Sequence, residues 1–144
     1  MELFTDPSFM VFGGVLTDAE AHARFDHMLA VAAELPFAKQ PVVERSTGVV
    51  VGYSGVDRFE LEGEPCLEWG WRLVAEARGK GYATEAGQAL LARAAEVFEG
   101  EIIVMVDPAN APSRRVADKL GFRYWKRTVI EGDPVDVLRR FLSR

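Results

Sequence analysis

The residues with the clearest chemistry are Arg78-Gly79-Lys80-Gly81-Tyr82-Ala83, a glycine-bearing turn ahead of a long amphipathic stretch. At the start of a helix the first backbone N–H groups have no intrahelical partner and point outward together. The helix dipole adds partial positive charge there, so phosphate is the natural guest. The expected donors are the N–H groups of Gly79, Gly81, Ala83 and Thr84, with Arg78 and Lys80 supplying charge nearby. The turn is not a Walker loop, because Lys80 is followed by Gly81 and Tyr82. It also lacks the third glycine of a dinucleotide fingerprint. A diphosphate held by backbone groups remains. On spacing alone, the alternative is a tight strand-to-helix connection with solvated basic residues.

An ordered scaffold must present this turn. Before it, Leu67, Trp69, Trp71 and Leu73 alternate with Glu68, Gly70 and Arg72, which predicts a strand with two unlike faces. After it, Ala83, Ala86, Leu90, Leu91, Ala94, Val97 and Phe98 predict a helix from about Ala83 to Phe98, ended by Gly100. Ile102 to Val106 is apolar on both faces and predicts a buried central strand. Asn110 caps a further helix, with Pro112 in its first turn and Gly121 as its stop. Phe122 to Ile130 and Val135 to Leu142 predict two last strands, joined by a turn over Glu131 to Pro134.

Upstream, Thr17 with Glu20 forms a capping box. It opens a helix whose apolar face is Ala21, Phe25, Met28, Leu29, Ala32 and Leu35, stopped by Pro36. Pro41 to Arg45 and Gly48 to Val56 read as paired strands around a Ser46-Thr47-Gly48 turn, and Asp57 to Pro65 as a polar connection. His22 and His27 lie five apart on the first helix, which does not put two metal ligands on one face, and no metal is expected. The expected fold is α/β: one domain over residues 1–144, a mixed sheet with helices on both faces and a parallel crossover from Leu67 to Val106.

Composition narrows the function classes. The chain has 144 residues, 49% hydrophobic and 27% charged, as suits one globular domain. A formal net charge of -5 disfavours nucleic acid as a partner and favours basic or amine ligands. One cysteine, Cys66, excludes an intrachain disulfide. No secretory signal and no membrane-length apolar run is present, so a cytoplasmic protein without a membrane partner is the expectation.

Arg78-x-x-Gly81-x-Ala83 resembles the acyl-CoA signature of the GNAT superfamily of N-acetyltransferases. The run GWRLVAEARGKGYATEA and the segment from Asn110 through Ser113 and Lys119 to Gly121-Phe122 are similar to the ribosomal-protein N-terminal acetyltransferase branch. The resemblance covers nearly the whole chain, from about Asp6 to the C-terminus. It implies acetyl-CoA as the acyl donor and a primary amine, on a protein N-terminus or a small molecule, as acceptor. It further implies donor binding by the turn from Arg78 to Thr84, Tyr82 included, by splayed backbone at Trp71 and Leu73, and by Asn110 and Ser113. Amide formation needs a base for the ammonium and a hydrogen-bond donor for the thioester oxygen. Glu68, on the donor strand and opposite the tryptophans, is the candidate base, and partial burial there would raise its pKa. Ser54 and Asp57 are candidate acceptor contacts, with solvated loop-edge residues as the alternative.

Two departures from the family qualify these implications. Many members carry a tyrosine acid four residues before the Gly-Phe pair, and that position is Ala117 here. Ser113, a water or no acid at all must serve; Tyr82 and Tyr124 are possible substitutes, with core or boundary packing as the favoured alternative for both. Ala117 also supports a second reading, a non-catalytic acyl-CoA-binding sensor or partner module. Family members usually open with a strand, and none is visible before Pro7. Either the true start lies upstream or the strand from Pro41 is a bare sheet edge, which a homodimer would cover.

Overall fold

The computed structural model describes residues 18–144. The helix start at Thr17, the irregular first residues and the question of a strand before Pro7 lie outside them. Three helices and six strands follow in the order α1 (Asp18–Glu34), β1 (Gln40–Val43), β2 (Val50–Leu61), β3 (Glu64–Leu73), α2 (Tyr82–Val97), β4 (Gly100–Val106), α3 (Ala111–Lys119), β5 (Arg123–Ile130) and β6 (Asp133–Leu142). A short 3-10 turn, Ala75–Ala77, leads from β3 toward α2. The strands form one mixed sheet ordered β1-β2-β3-β4-β6-β5. Every pairing among them is antiparallel except β3 with β4. The expected α/β architecture with its parallel crossover is therefore present.

The main core lies between the sheet and the pair α2 and α3. Leu91 and Ala94 of α2, Ala117 of α3 and Leu120 just beyond it meet Trp69, Ile102, Val104, Val106 and Leu138 of the sheet. Gly87 permits the close approach of the two helices, because a Cβ there would stand 2.7 Å from a Leu120 methyl. The opposite sheet face has its own smaller core, Leu61, Ile103 and Val137. On that face α1 stands over β2, where His27 reaches Asp57 at 2.7 Å.

Several expected boundaries move, each for a local reason. The stretch from Asp57 to Pro65 is not a connection. Asp57 to Leu61 completes β2, Glu64 and Pro65 begin β3, and only Glu62-Gly63 turns. Both turn residues are left-handed (φ 50 and 83), the type I′ geometry that matches strand twist. Phe59 and Leu61 point to the smaller core, a period-two pattern interrupted in sequence by Arg58 and Glu60. Glu131-Gly132 repeats the device (φ 51 and 86), so β6 starts at Asp133 rather than Val135.

The apolar face of α1 is also rotated from the expected one. Leu29 is 55% exposed, whereas Val31 is buried and Met28 and Leu35 are half-buried. Those three occupy one helical stripe at i, i+3 and i+7. The side chains of Ala21 and Phe25 lie outside the description. In α2, Val97 faces solvent and Phe98 is already extended, so the helix ends there and Gly100 opens β4.

Candidate active site

The site opens where β3 and β4 part. They are in register at Glu68 opposite Ile103. Past that point, toward Leu73 and Val106, two cavities occupy the cleft between them. The β2 side of β3 remains fully paired, with Ser54 opposite Trp71 and Gly52 opposite Leu73. Val74 N–H donates to Val51 O at 2.8 Å, so Val74 addresses β2. Backbone groups alternate sides along a strand. Those of Trp71 and Leu73 therefore face the cleft.

The first cavity, about 490 Å³, begins at the glycine turn. Gly79 (φ 77) and Gly81 (φ 82) are left-handed, and a Cβ at either would meet nothing within 4 Å. Glycine serves conformation here rather than clearance. Gly81 is the N-cap of α2 and makes no side-chain capping bond. The first intrahelical bond runs from Glu85 N–H to Gly81 O at 3.0 Å, leaving the N–H groups of Tyr82, Ala83 and Thr84 with no helical acceptor. Arg78 Nε donates to Leu73 O at 3.1 Å and ties the turn to the end of β3.

Arg78, Gly79, Gly81, Tyr82, Ala83, Thr84, Trp71, Leu73, Asn110 and Ser113 all line this cavity. Lys80 does not. It turns behind the loop toward Glu44, with its ammonium 3.7 Å from the Glu44 carboxylate. Arg115 and Lys119, one turn apart on α3, bring unpredicted positive charge to the cavity wall. Their signal was present in sequence as an i, i+4 basic pair on the helix that Asn110 caps.

The second cavity, about 720 Å³, lies on the α1 side of the cleft. Glu68 is half-buried there, beside Asp57, its cross-strand partner. Asp57 divides its oxygens between His27 (2.7 Å) and Lys39 (3.9 Å), and Lys39 lies over the Tyr53 ring at 5.2 Å. His27 and Lys39 were not singled out as site residues, since their contacts with Asp57 join distant segments. Ser54 does not reach this cavity. It is 1% exposed, on the core face with Trp69 and Trp71.

Trp71, Arg72, Asn110 and Ser113 line both cavities and mark where they meet. Asn110 accepts from Ser113 N–H at 3.2 Å, the capping bond that fixes Ser113 at the junction. Ala117 is fully buried in the main core and lines neither cavity. Tyr82 Oη donates to Glu44 at 2.7 Å, and this bond pushes the phenol pKa up. Tyr124, 52% exposed, also lines neither cavity. Among the described residues, no cluster of His, Cys, Asp and Glu is placed to hold a metal ion. No described helix is long and apolar enough to cross a membrane.

Comparison with known proteins places this arrangement. Residues 1–123 match the family model described as "Acetyltransferase (GNAT) domain". The chain is 32% identical over 124 residues to the uncharacterised N-acetyltransferase YnaD of Bacillus subtilis (strain 168), covering 83% of this chain and 69% of that protein. It is 31% identical over 98 residues to YkkB of the same organism, covering 67% of this chain but only 57% of the relative. A phosphinothricin acetyltransferase from Sinorhizobium meliloti, solved with AcCoA, shares the fold at a TM-score of 0.76 and 20% identity, over 99% of this chain and 82% of that one. With the family model spanning most of its length and the parted strands and glycine turn in place, the chain belongs to the GNAT acetyltransferase family.

Proposed function

We propose that this chain transfers an acetyl group from acetyl-CoA to a primary amine by direct attack in a ternary complex. The observation carrying the reading is the pair of cavities that meet at Trp71, Arg72, Asn110 and Ser113, one of them opened by the glycine turn. In this reading the N–H groups from Gly79 to Thr84 cradle the pyrophosphate of the donor, with Arg78 as counter-charge. The cleft-facing backbone of Trp71 and the N–H of Leu73 pair with the pantetheine arm, which enters as an added strand would. An N–H there also receives the charge that develops on the thioester oxygen.

The amine enters from the α1 side as an ammonium and loses its proton to Glu68, directly or through a water. Nitrogen then bonds to the acyl carbon as the carbon–sulfur bond breaks, and the second proton that nitrogen sheds on becoming an amide passes to the departing thiolate, which leaves as the thiol. Ser113, at the junction, is the nearest candidate to donate a hydrogen bond to the departing thiolate. The Sinorhizobium neighbour, whose structure contains AcCoA, supports the donor assignment by analogy of fold. The acceptor is an amine on a small molecule or a protein N-terminus.

Calorimetric titration with acetyl-CoA and a thiol-release assay over a panel of amines test the reading together. Binding with turnover of at least one amine is expected. Binding without thiol release on any member would favour the non-catalytic acyl-CoA module, for which Ala117 speaks.

A further inference from the structure

We propose that Glu44 is a positioning residue for the pyrophosphate turn, acting from behind it through Tyr82 and Lys80; the inference rests on the donor-site reading above. Arg78 anchors the start of the turn to β3, and the far end needs an anchor of its own. Two left-handed glycines flank Lys80, and the N-cap of α2 has no side-chain bond to hold it. Glycine loses the most conformational freedom on ordering. A donor cradle made from such a segment binds well only if something else orders it first.

Glu44 supplies that order from a different hairpin. It follows β1, and Gly48 N–H donates to its carbonyl oxygen at 2.8 Å, closing the β1–β2 turn. One carboxylate oxygen accepts from Thr47 Oγ1 at 2.9 Å, which fixes the carboxylate's orientation. The other accepts from Tyr82 Oη at 2.7 Å and lies 3.7 Å from Lys80 Nζ. Tyr82 is the first residue of α2, and its ring packs on the small core of Val51, Leu73 and Ala77. The two residues of the turn that Glu44 contacts, Lys80 and Tyr82, therefore flank Gly81 on either side.

The placement argues for orientation rather than ligand contact. Neither Glu44 nor Lys80 lines the donor cavity, whereas Gly79, Gly81 and Tyr82 do. A carboxylate facing a pyrophosphate would repel it. Behind the turn and paired with Lys80, it orders the N–H groups without meeting the anion. The Tyr82 and Thr47 bonds hold Glu44 below the usual carboxylate range, so it remains a charged acceptor near neutral pH.

The test compares two probes, CoA and acetyl-pantetheine, which lacks the pyrophosphate and the adenosine. Glu44→Ala and Tyr82→Phe should each weaken CoA about tenfold while leaving acetyl-pantetheine unchanged. The double variant should be no weaker than Glu44→Ala, because that substitution already removes the Tyr82 bond. Glu44→Gln keeps an acceptor for Tyr82 but no charge for Lys80, and should fall between. Should Glu44→Ala fail to fold, Tyr82→Phe, which loses one oxygen atom, carries the comparison. Unchanged CoA affinity, equal losses for both probes, or additive losses in the double variant would overturn the assignment. If the wild-type protein holds CoA no tighter than acetyl-pantetheine, the donor reading fails first and the role of Glu44 fails with it.

Discussion

Glu68 carries the heaviest chemical load in the proposed mechanism, and its surroundings explain why a strand carboxylate suits it. It is half-buried, lines the cavity on the α1 side, and occupies the position at which β3 and β4 are in register. A base at that point stands beside the opening cleft, where an incoming amine must pass. Glu68→Gln removes the proton acceptor with little change in size. The turnover rate should fall about 10²- to 10⁴-fold, the usual span for a lost general base. The loss should be largest at low pH, where the amine holds its proton most firmly. Rates measured against pH for both proteins check this, and superimposable profiles would remove Glu68 from the mechanism. Glu68 was legible in sequence because alternation along one strand sets its face. Glu44, His27 and Lys39 were not: the Glu44–Tyr82 bond spans 38 positions and the His27–Asp57 bond spans 30. No local pattern predicts which distant side chains a sheet will bring together.

Among the elements, α3 joins the main core to the donor cavity. Its inward residue Ala117 is fully buried, while Ser113, Arg115, Val116 and Lys119 line the cavity. Two predictions separate these faces. Ala117→Tyr, which restores the residue type common at that place in the family, should not create an acid. It should overpack the core beside Leu120 and Phe122 and cost about 1–3 kcal/mol, read as a lower denaturation midpoint without a gain in rate. Arg115→Ala with Lys119→Ala should leave the midpoint nearly unchanged. It should weaken CoA about tenfold, equivalent to about 1.4 kcal/mol, and flatten the salt dependence of binding, since exposed charge interactions are screened. Calorimetry at two ionic strengths checks this, and a parallel salt response in both proteins would place those cations outside the binding field. This helix was readable in advance because its ends carry strong signals: Asn110, Pro112 and Gly121. The β2–β3 turn is shifted from the expected one and the β5–β6 turn is shorter, because Glu62 and Glu131 adopt left-handed backbone, which glutamate seldom does. The two-residue turns thus looked like the middle of longer polar connections.

For the whole molecule, the proposed function puts donor and acceptor in two cavities that meet at one place. The cavity proposed for the donor lies toward α2 and α3, and the one proposed for the acceptor lies beneath α1. They share only the junction lined by Trp71, Arg72, Asn110 and Ser113. This geometry favours simultaneous occupancy over successive occupancy. It also limits covalent routes. Cys66 lines neither cavity, and burial, with the nearby Glu68 charge, pushes its thiol pKa up and away from a reactive thiolate. Ser113 is the hydroxyl at the junction, and its backbone N–H is engaged by Asn110. Initial rates measured over a grid of acetyl-CoA and amine concentrations should therefore give intersecting double-reciprocal lines, as a ternary complex requires. Parallel lines would indicate an acyl-enzyme instead. In that event Ser113→Ala should abolish turnover rather than slow it, and mass spectrometry after acetyl-CoA alone should show an added acetyl group on the wild-type chain. Intersecting lines with a slowed but active Ser113→Ala protein would leave Ser113 its assigned role, a hydrogen-bond donor to the departing thiolate.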